Sequence, residues 1–286
     1  MTGTEFVVGR PAPRLRPFVD RYLGYREAAP VPLVRTEVAG AFVVLVIGWG
    51  APLDVVDGRA ADRGAYGVAS FLAGPFDGYC TTSTVGVGAG VQLLLEPLTA
   101  RRLLGFPLGE VANRAVPLEQ LPDRWLDRLR QRLAEERRWP GRFALLDAAL
   151  TSRLVETAGT DPRLRRAWQR LAHGGAGVAV ATVADELGWS RRHLAVRFHR
   201  EFGLPPRTVV RLARFHRAYA VLAAGPAGGS GPTPVVPATG PAGGWADLAA
   251  RFGYYDQSHL IREFREFAGA TPGALFRSGS HSSNTG

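Results

Sequence analysis

SRRHLAVRFHREF, residues 190–202, is the stretch on which the interpretation of the chain depends. Ser190 suits a helix N-cap, because its hydroxyl can accept an unbonded backbone N–H of the first turn. Leu194, Phe198 and Phe202 recur every four residues and form one apolar stripe. The opposite face has no acid and carries Arg192, His193, Val196, His199 and Arg200. The pattern predicts a helix for a DNA groove, and a solvated amphipathic helix is the alternative.

A second short helix is predicted just before this stretch. Apolar residues at i, i+3, i+4 and i+7 spacing mark it, at Val180, Val183, Ala184 and Leu187. Gly188 then ends the helix, where positive φ is tolerated. A small residue, a glycine four positions later and an apolar anchor further on are typical of a helix-turn-helix unit, in which two helices cross through a tight turn.

The same pattern occurs a second time. WADLAARF, residues 245–252, precedes Gly253, and Asp256 takes the position of Ser190. From the caps onward the matching residues are 66 positions apart, and the second turn is one residue longer. We interpret this as two copies of one unit. The outward face of the second copy carries Ser258, His259, Arg262, Arg265 and Glu266.

Charge is distributed unevenly along the 286 residues. The net charge is +10, and residues 161–286 contain 16 arginines against 8 acidic residues. Residues 1–160 contain 19 arginines against 17 acidic residues. The basic excess therefore accompanies the two helix-turn-helix units, as expected of a phosphate-binding surface. Binding to RNA or to a membrane would also fit the charge, but no RNA-binding aromatic motif or strongly basic tail supports either.

Residues 33–95 predict β structure and the residues after Leu98 predict helices. AFVVLVI is β-branched and apolar, residues 85–91 alternate with glycine, and turn signals lie between them. Leucines fall on one face in each of the segments 122–136 and 142–155. The fold class expected is α+β: a small antiparallel β-barrel with helices, then an all-α domain with two helix-turn-helix units.

Several kinds of site are constrained by composition. Cys80 is the one cysteine, so no intramolecular disulfide can form; a buried wall residue is the favoured interpretation, and a redox sensor or methyl acceptor the alternative. No histidine precedes His173, so a histidine-rich cupin metal site or a histidine-activated nucleophile cannot form there. Candidate ligand contacts in the N-terminal part are Arg35, Trp49, Tyr66, Tyr79 and Glu96.

The N-terminus lacks the basic region of a signal peptide, because Glu5 comes before any apolar run. The longest apolar stretch, residues 38–47, is about ten residues and too short to cross a bilayer. We therefore expect a cytoplasmic protein without a membrane partner.

Residues 162–277, about 115 of the 286, resemble the DNA-binding domain of the AraC/XylS family of transcription regulators. The family's joining helix has an Arg-apolar-x-x-Ala-x-x-x-Leu pattern, matched by Arg214, Phe215, Ala218 and Leu222. Further family motifs match Gly253, Tyr254, Asp256, Gly269 and Pro272. A Gly/Pro/Ala tract at 225–244 departs from the family's usual short link and predicts a flexible insertion.

This resemblance implies the organisation of the chain and its partners. We expect an effector-sensing or dimerisation domain at 1–160, the DNA-binding domain at 161–278 and a disordered tail at 279–286. The N-terminal part resembles the family's sensor domains, which implies that its barrel is cupin-like. The implied partners are double-stranded DNA, a small-molecule effector, a second copy of the chain and, for an activator, RNA polymerase. No cofactor, metal or catalytic residue is expected.

Roles for individual residues follow from the two predicted recognition helices and the family's arrangement. Residues expected to contact bases are Arg192, His193, Ala195, Val196, Gln257, Ser258, His259 and Arg262. Residues expected to contact phosphates are Arg191, His199, Arg200 and Arg265. Two alternatives remain open: an alkylation-repair-like enzyme addressed to DNA by its C-terminal half, and a non-specific architectural DNA-binding protein.

Overall fold

The computed structural model describes residues 4–156, 161–174, 178–224 and 244–275. Most of the predicted insertion, at 225–243, and the C-terminal tail lie outside these residues, as do residues 157–160 at the expected domain boundary.

An antiparallel eight-stranded sheet forms the N-terminal half. Its strands are β1 (Glu5–Gly9), β2 (Tyr22–Glu37), β3 (Val43–Gly48), β4 (Leu53–Val56), β5 (Ala65–Val68), β6 (Phe71–Ala73), β7 (Cys80–Leu95) and β8 (Ala115–Pro117). The main path runs β1-β2-β7-β3-β6-β8, and β4 pairs with both β5 and β7. Among the described residues β1 and β8 do not pair, so the sheet is open and the predicted barrel is not closed.

The two long strands, β2 and β7, are the centre of this sheet. Their pairing shifts register between Ala29 and Leu33, where Pro30 and Pro32 cannot donate to the ladder. The pairing of β2 with β7 resumes after this bulge and continues to Glu37, which pairs with Cys80.

Three α-helices follow β7, with β8 between the first and the second, and the leucine spacing predicted the last two. They are α1 (Pro97–Leu104), α2 (Trp125–Glu135) and α3 (Trp139–Glu156). The leucines of α2 and α3 are buried in one core with β3 and the apolar end of β7.

In the described residues of the C-terminal half, every secondary-structure element is a helix. Its helices are α4 (Pro162–His173), α5 (Val180–Glu186), α6 (Arg191–Phe202), α7 (Pro206–Ala224), α8 (Gly244–Arg251), α9 (Gln257–Ala268) and α10 (Pro272–Leu275). The first helix-turn-helix unit is α5 with α6, the second is α8 with α9, and α7 joins them. The predicted fold class is therefore confirmed, with the open sheet as its one refinement.

The core of the helical half includes two residues from the N-terminal half. Val38 and Ala39, just after β2, are buried among residues of α4, α6, α7 and α9. We call residues 37–40 the linking segment, because they begin at the last residue of β2 and lead into the helical core. The two halves are packed together through this segment.

Candidate DNA-binding surface and ligand cavity

The two recognition helices, α6 and α9, begin and end in the same way. The Ser190 hydroxyl accepts a hydrogen bond from the His193 N–H at 3.1 Å, and the Asp256 carboxylate accepts one from the His259 N–H at 2.7 Å. Each helix ends at a glycine in the left-handed region, Gly203 with φ 83° and Gly269 with φ 73°. Both caps predicted from the sequence are present.

The two turns also match. Gly188 and Gly253 have φ of 66° and 76°. In each unit the residue after the glycine donates its N–H to the buried alanine of the preceding helix: Trp189 to the Ala184 carbonyl and Tyr254 to the Ala249 carbonyl, both at 2.9 Å. The extra residue of the second turn therefore lies beyond this bond, between the aromatic residue and the cap.

The face of α6 opposite its buried stripe is open to solvent. Leu194, Phe198 and Phe202 are fully buried, and Ala195 is half-buried. The other predicted DNA contacts of this helix are exposed: Arg191, Arg192, His193, Val196, His199 and Arg200. Val196 is 63% exposed among the basic residues of this face, and its side chain suits contact with a thymine methyl.

On α9 the exposed predicted contacts are Gln257, Ser258, Arg262 and Arg265. His259 is different, because its ring is half-buried and held by the protein. Its Nδ1 accepts a hydrogen bond from the Tyr255 N–H at 3.3 Å, and its Nε2 lies 3.4 Å from the Glu263 carboxylate. To contact a base, His259 would have to leave these partners. Its assignment to base contact stays a prediction.

Both histidines at the start of the recognition helices pack against the aromatic residue of their turn. The rings of His193 and Trp189 meet edge to face with centroids 4.9 Å apart, and those of His259 and Tyr254 at 5.3 Å. The sequence analysis missed this support, although an aromatic residue precedes the histidine by four positions in the first copy and by five in the second, which was a signal for it.

A buried glutamate, Glu263, ties the second unit to the joining helix α7. Its carboxylate accepts hydrogen bonds from Arg211 at 2.8 Å and Arg214 at 2.6 Å. Arg214 also donates to the Gly253 carbonyl at 3.1 Å and lies over the Tyr254 ring. The burial of this charge is acceptable because the carboxylate is paired and hydrogen-bonded.

The first unit is supported instead by α4 and by the N-terminal half. Trp168 of α4 stacks on Phe198 and donates its indole N–H to Glu96 at 2.5 Å. Arg101 of α1 pairs with Glu201 of α6 at 2.9 Å. Glu96, a candidate ligand contact in the sequence, is therefore a structural residue between the two halves.

The backbone of Ala39, in the linking segment, makes two hydrogen bonds with the helical half. Ala39 donates its N–H to the carbonyl of Phe267, near the end of α9, at 2.7 Å. Its own carbonyl accepts a hydrogen bond from His216 Nε2 of α7 at 2.8 Å. Burial lowers the pKa of His216 to about 4, so its imidazole is neutral at pH 7 and donates this one proton.

A cavity of about 170 Å³ lies between the sheet and the linking segment. Five aromatic side chains line it: Phe6, Tyr25, Phe42, Phe71 and Phe76. Its charged residues are Glu27, Arg35 and Glu37, and Glu27 pairs with Arg35. Apolar walls with a few convergent polar groups are typical of a small-molecule site.

Of the five candidate ligand contacts named from the sequence, Arg35 lines this cavity. Trp49 packs between Trp139 and Arg142, Tyr66 is exposed, and Tyr79 packs against Gly269 at the end of α9. Sequence reasoning missed Tyr25, Glu27 and Glu37. Their alternation along β2 was the available signal, but the register shift inside the strand obscures which face they share.

Chemistry at Cys80 is suppressed by its surroundings. The thiol is buried in the cavity wall, and desolvation together with the nearby Glu37 charge raises its pKa to about 12. A thiolate is therefore scarce at neutral pH, which is the opposite of what a reactive cysteine needs. Within the described ranges no cluster of three metal-ligating side chains occurs, and no helix there has the length and apolar character needed to span a bilayer.

Comparison with known proteins gives matches among solved structures. No protein-family model and no curated protein matches the chain. ToxT from Vibrio cholerae is 11% identical, with 90% of this chain and 97% of that chain covered and a TM-score of 0.47. The C-terminal domain of AraT, a response regulator from Geobacillus stearothermophilus, is 22% identical, over 44% of this chain and 93% of that one, with a TM-score of 0.33. The AraC-like transcriptional activator CuxR is 15% identical, over 76% and 87%, with a TM-score of 0.26.

Proposed function

We propose that the protein is a sequence-specific DNA-binding transcription regulator whose N-terminal half senses a small molecule, dimerises, or does both. The observation that carries the proposal is the repeated unit itself. Two recognition helices with matching caps, turns and buried anchors present mostly basic, exposed faces, and one helix joins them. This is the arrangement that places helices in successive major grooves.

Within this proposal each recognition helix contributes both base contacts and phosphate contacts. Arg192 and Arg262 have exposed guanidinium groups suited to bidentate contact with guanine. Arg191, His199, Arg200 and Arg265 lie where phosphate contacts would fix the register on the duplex. The segment 161–278 is the proposed DNA-binding domain, and 1–160 is the proposed sensing or dimerisation domain. RNA polymerase joins the proposed partners if the protein activates transcription.

The test measures fluorescence anisotropy of the protein on the duplex upstream of its own gene and on a shuffled duplex, across a salt series. We expect tighter binding to the upstream duplex and a fall in affinity with salt on both, because phosphate contacts release counterions. Arg262→Ala is expected to lose the preference. Arg128→Ala, on the exposed surface of α2, removes the same charge and is expected to leave the preference intact.

Equal binding to both duplexes would favour a non-specific architectural role, unless a selection from random duplexes then recovers a preferred sequence. Absence of binding at low salt would contradict the proposal. The enzyme alternative needs a reactive cysteine or another nucleophile in the N-terminal half, and the raised pKa of Cys80 speaks against the cysteine.

A further inference from the structure

The loop between β6 and β7, residues 74–79, contacts the C-terminal ends of both recognition helices, and we call it the bridging loop. At the end of α6, a Cβ atom added to Gly203 would lie 3.3 Å from Pro75 Cγ. At the end of α9, a Cβ atom added to Gly269 would lie 3.1 Å from Cε2 of the Tyr79 ring. The two contacts are four residues apart in one loop, and four residues of chain span at most about 14 Å. One short loop therefore connects the ends of the two helices.

Other parts of the N-terminal half strengthen both contacts. A Cβ atom added to Gly109, in the turn Leu108–Val111, would lie 2.9 Å from the carbonyl oxygen of Arg200 in the last turn of α6. Side chains do not approach a backbone this closely, so glycine permits the contact. At α9, the Ala39 N–H bonds the Phe267 carbonyl at 2.7 Å. Both helix ends are therefore held by the same half of the protein.

The bridging loop is itself held in place at three consecutive residues. Asn113 donates its N–H to the Pro75 carbonyl at 2.9 Å, and its side-chain carbonyl accepts the Asp77 N–H at 2.8 Å. Asn113 has a φ of 54°, in a region that asparagine adopts more readily than most residues with a side chain. Between these two bonds, Phe76 exchanges two backbone hydrogen bonds with Gly40 of the linking segment, at 3.0 and 3.1 Å. The loop is thus fixed on both sides.

The joining helix α7 also connects the two helix-turn-helix units, so the bridging loop is a second connection between them. Two bodies joined by one connection can turn or slide about it. A second connection opposes that motion, and the separation and angle of the bodies become more narrowly defined. The contacts at Gly203 and Gly269 supply this second connection at the recognition helices themselves.

We propose that the bridging loop fixes the separation of the two recognition helices and thereby selects the spacing between the two DNA segments that they read. Tyr79 and Asn113 are its positioning residues. The proposal rests on the proposed function, in which both helices read DNA. One added base pair moves the second DNA segment by about 3.4 Å and turns it by about 34° around the duplex axis. Helices held at one separation and angle cannot follow both changes.

The test begins with selection from a library of random duplexes, first with the unmodified protein. We expect enrichment of two sequence segments at one spacing. In fluorescence anisotropy, insertion or deletion of one base pair between them should weaken binding at least about tenfold, because one helix then loses its base contacts. Tyr79→Ala removes the ring that lies against Gly269. The same insertion or deletion should weaken binding of this variant by less than about threefold.

Two control variants separate the position of the helices from general stability. Tyr79→Phe keeps the ring atoms that contact Gly269 and should keep the narrow spacing preference. Tyr66→Ala removes an exposed tyrosine from β5 and should also keep it. Tyr79 and Tyr66 are 40% and 53% exposed, so neither change to alanine opens a cavity in the core. A variant that only lost stability would bind all spacings less well by the same factor.

A second measurement examines the separation of the helices without DNA. Spin labels on cysteines that replace His199 and Arg265, two exposed residues at matching positions of α6 and α9, report this distance by double electron–electron resonance. Cys80 is buried and should stay unlabelled. We expect a narrow distance distribution with the native loop and with Tyr79→Phe, and a broader one with Tyr79→Ala.

A distance distribution that Tyr79→Ala leaves unchanged would overturn the proposal. A spacing preference that Tyr79→Ala leaves unchanged, in a protein that does enrich particular sequences, would remove the role of the loop and leave the proposed function intact. If the unmodified protein enriches no sequence, the proposed function fails, and the assignment of the loop to DNA spacing fails with it.

Discussion

The first and second helix-turn-helix units share their backbone geometry and differ in what supports them. Position 197 in the first unit corresponds to position 263 in the second, 66 residues later. Arg197 is partly exposed, lies over the Trp189 ring and pairs with Asp161 at 3.2 Å. Glu263 is buried and pairs with two arginines of α7. Opposite charges therefore occupy the same place in one motif.

This difference shows which parts of a repeated motif are independent of context. Caps, glycine turns and the apolar stripe depend on residues within each copy, so both copies have them. The charged support depends on the neighbouring helix, which is α4 for the first unit and α7 for the second. Each unit can therefore lose its support without loss of the local pattern.

The largest expected effect is a difference in the free energy of unfolding between variants at this position in the two units. Glu263→Ala should lower the free energy of unfolding by about 3–5 kcal/mol, because it leaves Arg211 and Arg214 without the carboxylate they share. Arg197→Ala, at the matching position, should cost about 1 kcal/mol or less, because its pair is partly exposed. Urea unfolding of both variants measures this. Equal losses would mean that the two supports are energetically alike.

The next effect concerns DNA rather than stability. Arg262 takes the place that Val196 occupies in the first unit. Arg262→Ala should reduce discrimination against the wrong base by about 1–3 kcal/mol. Arg200→Ala should weaken binding to every sequence alike, as loss of a phosphate contact does. Fluorescence anisotropy on target and shuffled duplexes measures both effects. An equal loss of affinity in both variants on both duplexes would contradict this division between base and phosphate contacts.

Removal of the N-cap side chains should destabilise the two units equally. Ser190→Ala and Asp256→Ala each remove a side-chain acceptor from the first turn of a recognition helix. Each should cost about 1 kcal/mol of stability. Thermal or urea unfolding measures the two losses. If only one of the two variants loses stability, the recognition helix of the other unit is held by its tertiary contacts alone.

The smallest effect tests the support of the first unit by the N-terminal half. Arg101→Ala breaks the partly buried pair with Glu201 and should cost about 0.2–1 kcal/mol. Amide hydrogen exchange should rise in α6 and stay unchanged in α9. Uniform loss of protection across both helices would show that the pair stabilises the helical half as a whole.

What the sequence predicts here is what short-range spacing determines. Ser190, Asp256 and the turn glycines act within about one helical turn of their own residue, and each occupies its predicted place. Burial of Glu263 was not predictable, because it requires Arg211 and Arg214 from a helix about 50 residues away. Ala39 contacts α9 and α7 through its backbone N–H and carbonyl groups, so its residue type does not indicate this role. The cavity depends on the register of β2 across a bulge.

The linking segment has a consequence for how much ligand the protein would need. Glu37 faces the cavity, and Ala39, two residues later, is bonded to α7 and to α9. If a ligand in the cavity changes DNA affinity by some factor through this segment, thermodynamic reciprocity requires DNA binding to change ligand affinity by the same factor. The ligand concentration that gives half response is then set jointly by the cavity and by the operator. Two promoters of different strength would respond to one molecule at two different thresholds.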